Sequence, residues 1–147
     1  MIKVRTSAWV PGKTEDVFSF FDDPDNTLEF TLGAQRISRM ERAPDGRLAY
    51  TVAMLSSRGK EFPVEVEQLV RIPPRHLTTR SRTPGFTATH ARDFEPENGG
   101  TRVTSVFTAQ IHRGLFGPLF ELLQRDRTRL EADAVMQAVV ERFAARQ

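Results

Sequence analysis

Residues 10–26, VPGKTEDVFSFFDDPDN, decide how the rest of the chain is read. The stretch begins as the end of a strand, since residues 2–10 alternate apolar and polar side chains. It turns at Pro11-Gly12 and then carries a helix signature. Thr14 is placed to cap it, and Glu15 and Asp16 sit in the first turn, where the partial positive charge of a helix start favours carboxylates. Val17, Phe20 and Phe21 follow at i, i+3 and i+4, one greasy face. Asp23-Pro24 ends this helix and starts a second, with Pro24 in its first position and Leu28 and Phe30 as its apolar residues. A short helix so apolar, placed so soon after the first strand, must cover something.

What it covers is predicted from the texture downstream. Strands are expected near 34–43, 47–56, 61–72, 76–83, 86–95 and 101–112. The separators are PDG, SSRGK, PPR, PG and PENGG, all turn chemistry. After Gly114 the pattern becomes helical. Pro118 can open a helix, and no Gly or Pro follows it. Leu119, Leu122, Leu123, Leu130, Val135, Met136, Val139, Val140 and Phe143 recur at helical spacing. The expected element runs from about Pro118 to Arg142, roughly 40 Å at full length. A meander of antiparallel strands has one apolar face to cover, and only this helix is long enough. The predicted class is α+β: a seven-stranded antiparallel curved sheet around a long C-terminal helix, in one domain spanning 1–147. Leu119, Leu123, Leu130, Ala134 and Met136 are expected to be buried against the sheet.

Composition narrows the function. The chain has 147 residues, 39% hydrophobic and 27% charged, ordinary for a globular protein. Its net charge is only +2, because 18 Arg and 3 Lys are balanced by 19 acidic residues, so nothing here points to nucleic acid. There is no cysteine, which excludes disulfides, thiolate nucleophiles and Cys-ligated zinc. MIKVRTSAWV reads as neither signal peptide nor lipid anchor, and no apolar run approaches the ~18 residues of a membrane span. A cytoplasmic location is expected.

In order, these motifs resemble the START-like (SRPBCC) superfamily and, within it, the bacterial polyketide cyclase/dehydrase group. The resemblance covers essentially the whole chain. It is carried by VPGKTEDVFSFFDDPDN, by GGTRVTSVFTAQI as the entry to the last strand, and by LFGPLFELLQRDRTRLEADAV as the last helix. Phe30 stands where many members carry Trp. The resemblance implies a helix-grip fold with a cavity between sheet and helix. Phe18, Phe20, Phe21 and Phe30 would then plug one end of the core or flank the cavity mouth.

Strand alternation sorts the side chains. In 61–72 the set Phe62, Val64, Val66, Gln68, Val70 and Ile72 should face inward, and Glu65, Glu67 and Arg71 outward. A turn at Pro73-Pro74 sets Glu67 beside Arg80 and Glu65 beside Arg82, favourable pairs on an outer face. Carried across the other turns, this arithmetic predicts an inward row of Tyr50, Gln68, Thr79, His90 and Phe107. Beside it should lie Leu48, Val70, Leu77, Arg92 and Ser105, and on the other side Val52, Val66, Ser81, Ala88 and Ala109. Each register can slip by two residues without changing the facing.

Buried polar groups need partners. Tyr50, Gln68, Thr79, His90, Arg92, Phe107, Leu123 and Leu130 are therefore the candidate ligand-binding residues, either orienting a mostly apolar ligand or satisfying one another. Arg92 is expected to snorkel to the rim. No two histidines share a metal-ligand spacing, and neither a phosphate loop nor a G-x-S-x-G elbow is present. Acid–base chemistry would rest on His90, with Tyr50 next. No metal or cofactor is expected. The arginine run QRDRTR, 124–129, reads as a solvated helix face with Glu121–Arg125, Arg127–Glu131 and Arg129–Asp133 pairs.

Three functions follow as alternatives: a carrier or sensor of a small hydrophobic, lipid- or polyketide-like molecule; a polyketide cyclase or dehydratase using the same cavity; or an interaction protein with a vestigial cavity. The expected partner is a small hydrophobic ligand, with no nucleic acid and no membrane span. A homodimer is left open.

Overall fold

A computed structural model describes residues 1–31, 33–56, 58–112 and 117–146, with side chains excepted over 117–128. Strand β1 (Ile2–Val10) leads into helices α1 (Thr14–Asp22) and α2 (Pro24–Phe30). Six strands follow: β2 (Ala34–Arg42), β3 (Leu48–Leu55), β4 (Glu61–Ile72), β5 (His76–Thr83), β6 (Phe86–Glu97) and β7 (Gly100–Ile111). Helix α3 (Gly117–Ala144) closes the chain. The seven strands form one antiparallel sheet in the order β1-β7-β6-β5-β4-β3-β2, so the meander folds back until β7 meets β1. This is the curved sheet and C-terminal helix of the helix-grip.

The opening segment plugs the core. Val17, Phe18, Phe20 and Phe21 of α1 are buried together with Leu77, Phe94, Val103, Met136, Val139 and Phe143. Their rings meet edge-on. Phe18 lies 5.4 Å from Phe94, and Phe20 lies 5.5 Å from Phe143. Such pairs contribute about 0.5–1.5 kcal/mol beyond simple burial. Gly12 lets α3 approach, because a Cβ there would stand 2.7 Å from the Phe143 ring. Asp23 accepts from the Asp25 N–H at 2.9 Å and caps α2, with Pro24 in the first turn. The α1 cap differs from the sequence reading. Lys13 is the N-cap, and Thr14 is a buried first-turn residue whose hydroxyl accepts from Thr101 at 3.2 Å.

Helix α3 buries a narrow stripe. Ala132, Met136, Val139 and Phe143 face the core, and the helix packs chiefly on β1 with lesser contact to β7. Leu130 is 71% exposed and Ala134 is exposed as well, so neither takes the buried place expected for it. The reason is phase: 130 and 134 lie on the face opposite the stripe through 132, 136 and 139. Met136 is buried as expected; the side chains of Leu119 and Leu123 lie outside the described residues. Arg129 donates to the Arg5 carbonyl at 3.4 Å rather than pairing with Asp133.

Most predicted registers hold. Glu67 opposes Arg80, Thr79 opposes His90, Leu77 opposes Arg92, His90 opposes Phe107 and Arg92 opposes Ser105. Glu67 forms an ion pair with Arg80, and Glu65 lies 3.9 Å from Arg82. Two placements change. Tyr50 pairs with Val66 instead of Gln68, a slip of two that keeps its facing. A bulge between Gln68 and Val70 then inverts the end of β4. Arg71 comes to oppose Leu77, while Val70 and Ile72 turn outward at 40% and 54% exposure. One extra residue on one strand flips every side chain beyond it.

Candidate functional site

The bulge creates a polar network absent from the sequence reading. Arg71, now on the concave face, reaches Asp22 at the end of α1, with Nη2 donating to Oδ2 at 2.9 Å. Its Nε donates to both Asp22 oxygens, at 3.1 and 3.2 Å. This fork geometry matches a carboxylate, and the hydrogen bonds to Asp22, with its charge behind them, raise the Arg71 guanidinium further above its already high range. Gln68 joins the same carboxylate, donating from Nε2 to Asp22 Oδ1 at 2.9 Å. Its Oε1 accepts from the Leu48 N–H, also at 2.9 Å. Gln68 thus ties α1 to β3 and β4. Its amide is committed to the protein rather than waiting for a ligand.

Beyond this network the concave face carries Tyr50, Thr79, His90, Arg92 and Phe107. All five keep some water-accessible surface while lying on interior strands of the sheet or, for Phe107, between β6 and β1. His90 stacks obliquely on Phe107, with ring centroids 4.8 Å apart. Desolvation, reinforced by the charge of Arg92, holds the His90 imidazole well below its usual range, so it is neutral at neutral pH. Desolvation raises the Tyr50 phenol, opposed by a hydrogen bond with Thr27 on α2.

Arg92 does not snorkel to the rim. Its guanidinium lies over the buried Phe21 ring, 4.7 Å from the centroid. Burial pulls its pKa down to about 10, which still leaves it charged at neutral pH. Its Nε and the neighbouring Ser105 Oγ are buried without a hydrogen-bond partner. A separate cleft of about 320 Å³ opens between the α1–α2 joint and β2–β3, lined by Asp22, Asp23, Asp25, Met40 and Leu48 among others. Of the remaining candidates, Leu130 points to solvent and Leu123 lies outside the described side chains. His76 bonds Asp93 and Thr78 at the strand end, away from the row.

Sequence reasoning missed Asp22 and Arg71. The available signal was the Leu69-Val70 doublet, which breaks the alternation of β4 and is where the register shifts.

The model of the polyketide cyclase / dehydrase and lipid transport family matches residues 1–147. The chain belongs to this family. Solved structures carry the same fold at low identity. TTHA0849 from Thermus thermophilus superposes with a TM-score of 0.77 at 18% identity, covering 99% of both chains. The di-domain ARO/CYC StfQ of the steffimycin biosynthetic pathway matches with a TM-score of 0.77 at 15% identity, over 99% of this chain and 52% of that one. A START superfamily protein from Mycobacterium smegmatis matches with a TM-score of 0.70 at 14% identity, covering 95% of this chain and 97% of that one. No curated protein matches the sequence. Among the described residues of this family member, no helix is long and apolar enough to cross a membrane.

Proposed function

We propose that this polyketide cyclase / dehydrase and lipid transport family member binds a small, mostly apolar molecule between the concave sheet face and α3. It would act as a carrier or sensor in the cytoplasm, through one domain spanning 1–147. The observation that supports this is the set Tyr50, Thr79, His90, Arg92 and Phe107 on one face of the sheet. These side chains sit on interior strands of the sheet and are only half-buried, not closed into the core. A few convergent polar groups among apolar walls is the usual chemistry of a pocket for an apolar ligand. The test is native mass spectrometry of protein purified from its own host. A co-purifying small molecule supports the reading, and a ligand-free protein that also fails to take up apolar probes overturns it.

A second reading, a cyclase or dehydratase, is favoured by one observation. His90 is held neutral, the form that can accept a proton, within a fold shared with an ARO/CYC protein. His90→Gln separates the two. A carrier should lose less than ~tenfold in affinity for an apolar probe, about 1.4 kcal/mol. An enzyme using His90 as acid or base should lose ~10²–10⁴-fold in turnover with binding largely kept.

A further inference from the structure

Charge on the concave face does not balance. Two guanidiniums face it, Arg71 and Arg92. Asp22 is the one carboxylate there among the described residues, and it is consumed by Arg71 and Gln68. Arg92 is left with the face of Phe21 and no ion pair among the described residues. A cation–π contact recovers about 2 kcal/mol when desolvated. An unpaired buried charge costs several kcal/mol. Arg92 keeps some contact with water, which covers part of the difference, and an anion would cover the rest.

The surroundings say where that anion would sit. Ser105 opposes Arg92 across the β6–β7 pair, on the same side of the sheet. Arg92 Nε and Ser105 Oγ are both buried without a partner, so the two opposed residues each carry an unsatisfied donor. Tyr50 lies close enough to feel the charge of Arg92 and adds a phenolic O–H on the same face. Fully buried polar atoms rarely go unpaired, and those that do point to a missing water, ion or ligand atom. Around these donors the walls are apolar: Leu77, Phe21 and Phe107.

We propose that the ligand is an amphiphile with a carboxylate head, held by Arg92 and Ser105 with Tyr50 alongside, and with its apolar body along the His90–Phe107 side of the face. This rests on the ligand-binding reading above and adds the class of ligand. Arg71 is not the docking cation, because Asp22 already occupies its fork.

Isothermal titration of the full chain with dodecanoate and with dodecan-1-ol, equal in chain length, tests it. Dodecanoate should bind at least ~tenfold more tightly, the ~1.4 kcal/mol of a modest charge-assisted contact. Arg92→Gln should abolish that preference while leaving the alcohol's affinity within about threefold. Ser105→Ala, a small change that guards against a folding failure at Arg92, should reduce the preference in part. Equal binding of the two probes by the unaltered protein overturns the carboxylate head but leaves the carrier reading standing. Persistence of the preference in Arg92→Gln overturns the docking assignment. Binding of neither probe removes both readings together.

Discussion

Asp22 closes α1 and Arg71 lies near the end of β4, 49 residues later, yet their side chains meet at 2.9 Å with both largely shielded from water, at 15% and 22% side-chain exposure. The pair holds the plug helix against the sheet, and Gln68 shares the same carboxylate. Asp22→Asn should cost about 1–3 kcal/mol, since it leaves a guanidinium facing the interior without its counter-charge. A double-mutant cycle with Arg71→Met, read by urea denaturation, should show coupling on the order of 0.5–3 kcal/mol. Additive single effects would mean that the contact holds nothing.

The convex face should behave in the opposite way. Glu67 and Arg80 pair across β4 and β5, but their side chains remain 37% and 34% exposed. Exposed pairs of this kind contribute roughly 0–1 kcal/mol. Glu67→Ala should therefore hardly shift the thermal midpoint. A drop of several degrees would place the glutamate in a network that matters to the core.

Phe94 is completely buried and receives the rings of both Phe18 and Phe21. Phe94→Ala should destabilise the fold by about 3–5 kcal/mol, the cost of lost burial plus a cavity that its neighbours cannot fill. Phe94→Leu, which keeps most of the volume, should cost clearly less. Chemical denaturation of the two variants side by side measures the difference, and equal losses would argue against tight packing at the joint between α1 and β6.

His90 sets an acid limit. Its folded-state pKa lies well below the ordinary 6.5 because of desolvation and then Arg92. Above about pH 6.5 the imidazole is neutral in both folded and unfolded chains and adds no pH dependence. As pH falls below that value the unfolded chain takes up the proton first, so stability declines toward the folded-state pKa. His90→Gln cannot titrate. Its stability should fall less than that of the unaltered protein between about pH 7.5 and about pH 5.5, measured as the urea midpoint at each pH. Parallel losses in the two proteins would show that folding leaves the His90 pKa where it is in the unfolded chain.

How far the sequence reached can be judged from particular residues. Alternation and turn chemistry are local, and they were enough for the strands, for the order of the elements and for the pairs Glu67–Arg80, Thr79–His90 and Arg92–Ser105. The Phe-rich segment after β1 was legible as a plug, because a short helix with four phenylalanines or valines on its buried side has no stable place in water. The phase of a long amphipathic helix is less local. Leu130 looked as apolar as Met136, yet only packing on β1 chose the stripe through Ala132, Met136 and Val139.

What tertiary structure alone decided lies at the bulge in β4. Along the chain, Val70 and Ile72 were the better inward pair and Arg71 the better outward residue. The fold reversed them, because Asp22 at the end of α1 offers Arg71 a carboxylate that no strand pattern contains. The same holds for Arg92. Its position on the inward face was readable from period two, but its depth over Phe21 and the unfilled donors beside it exist only once β6, β7 and α1 meet. Local sequence determines which way a side chain points. Which charges are left unpaired after folding depends on elements far apart in the chain, and that decides where a ligand would be held.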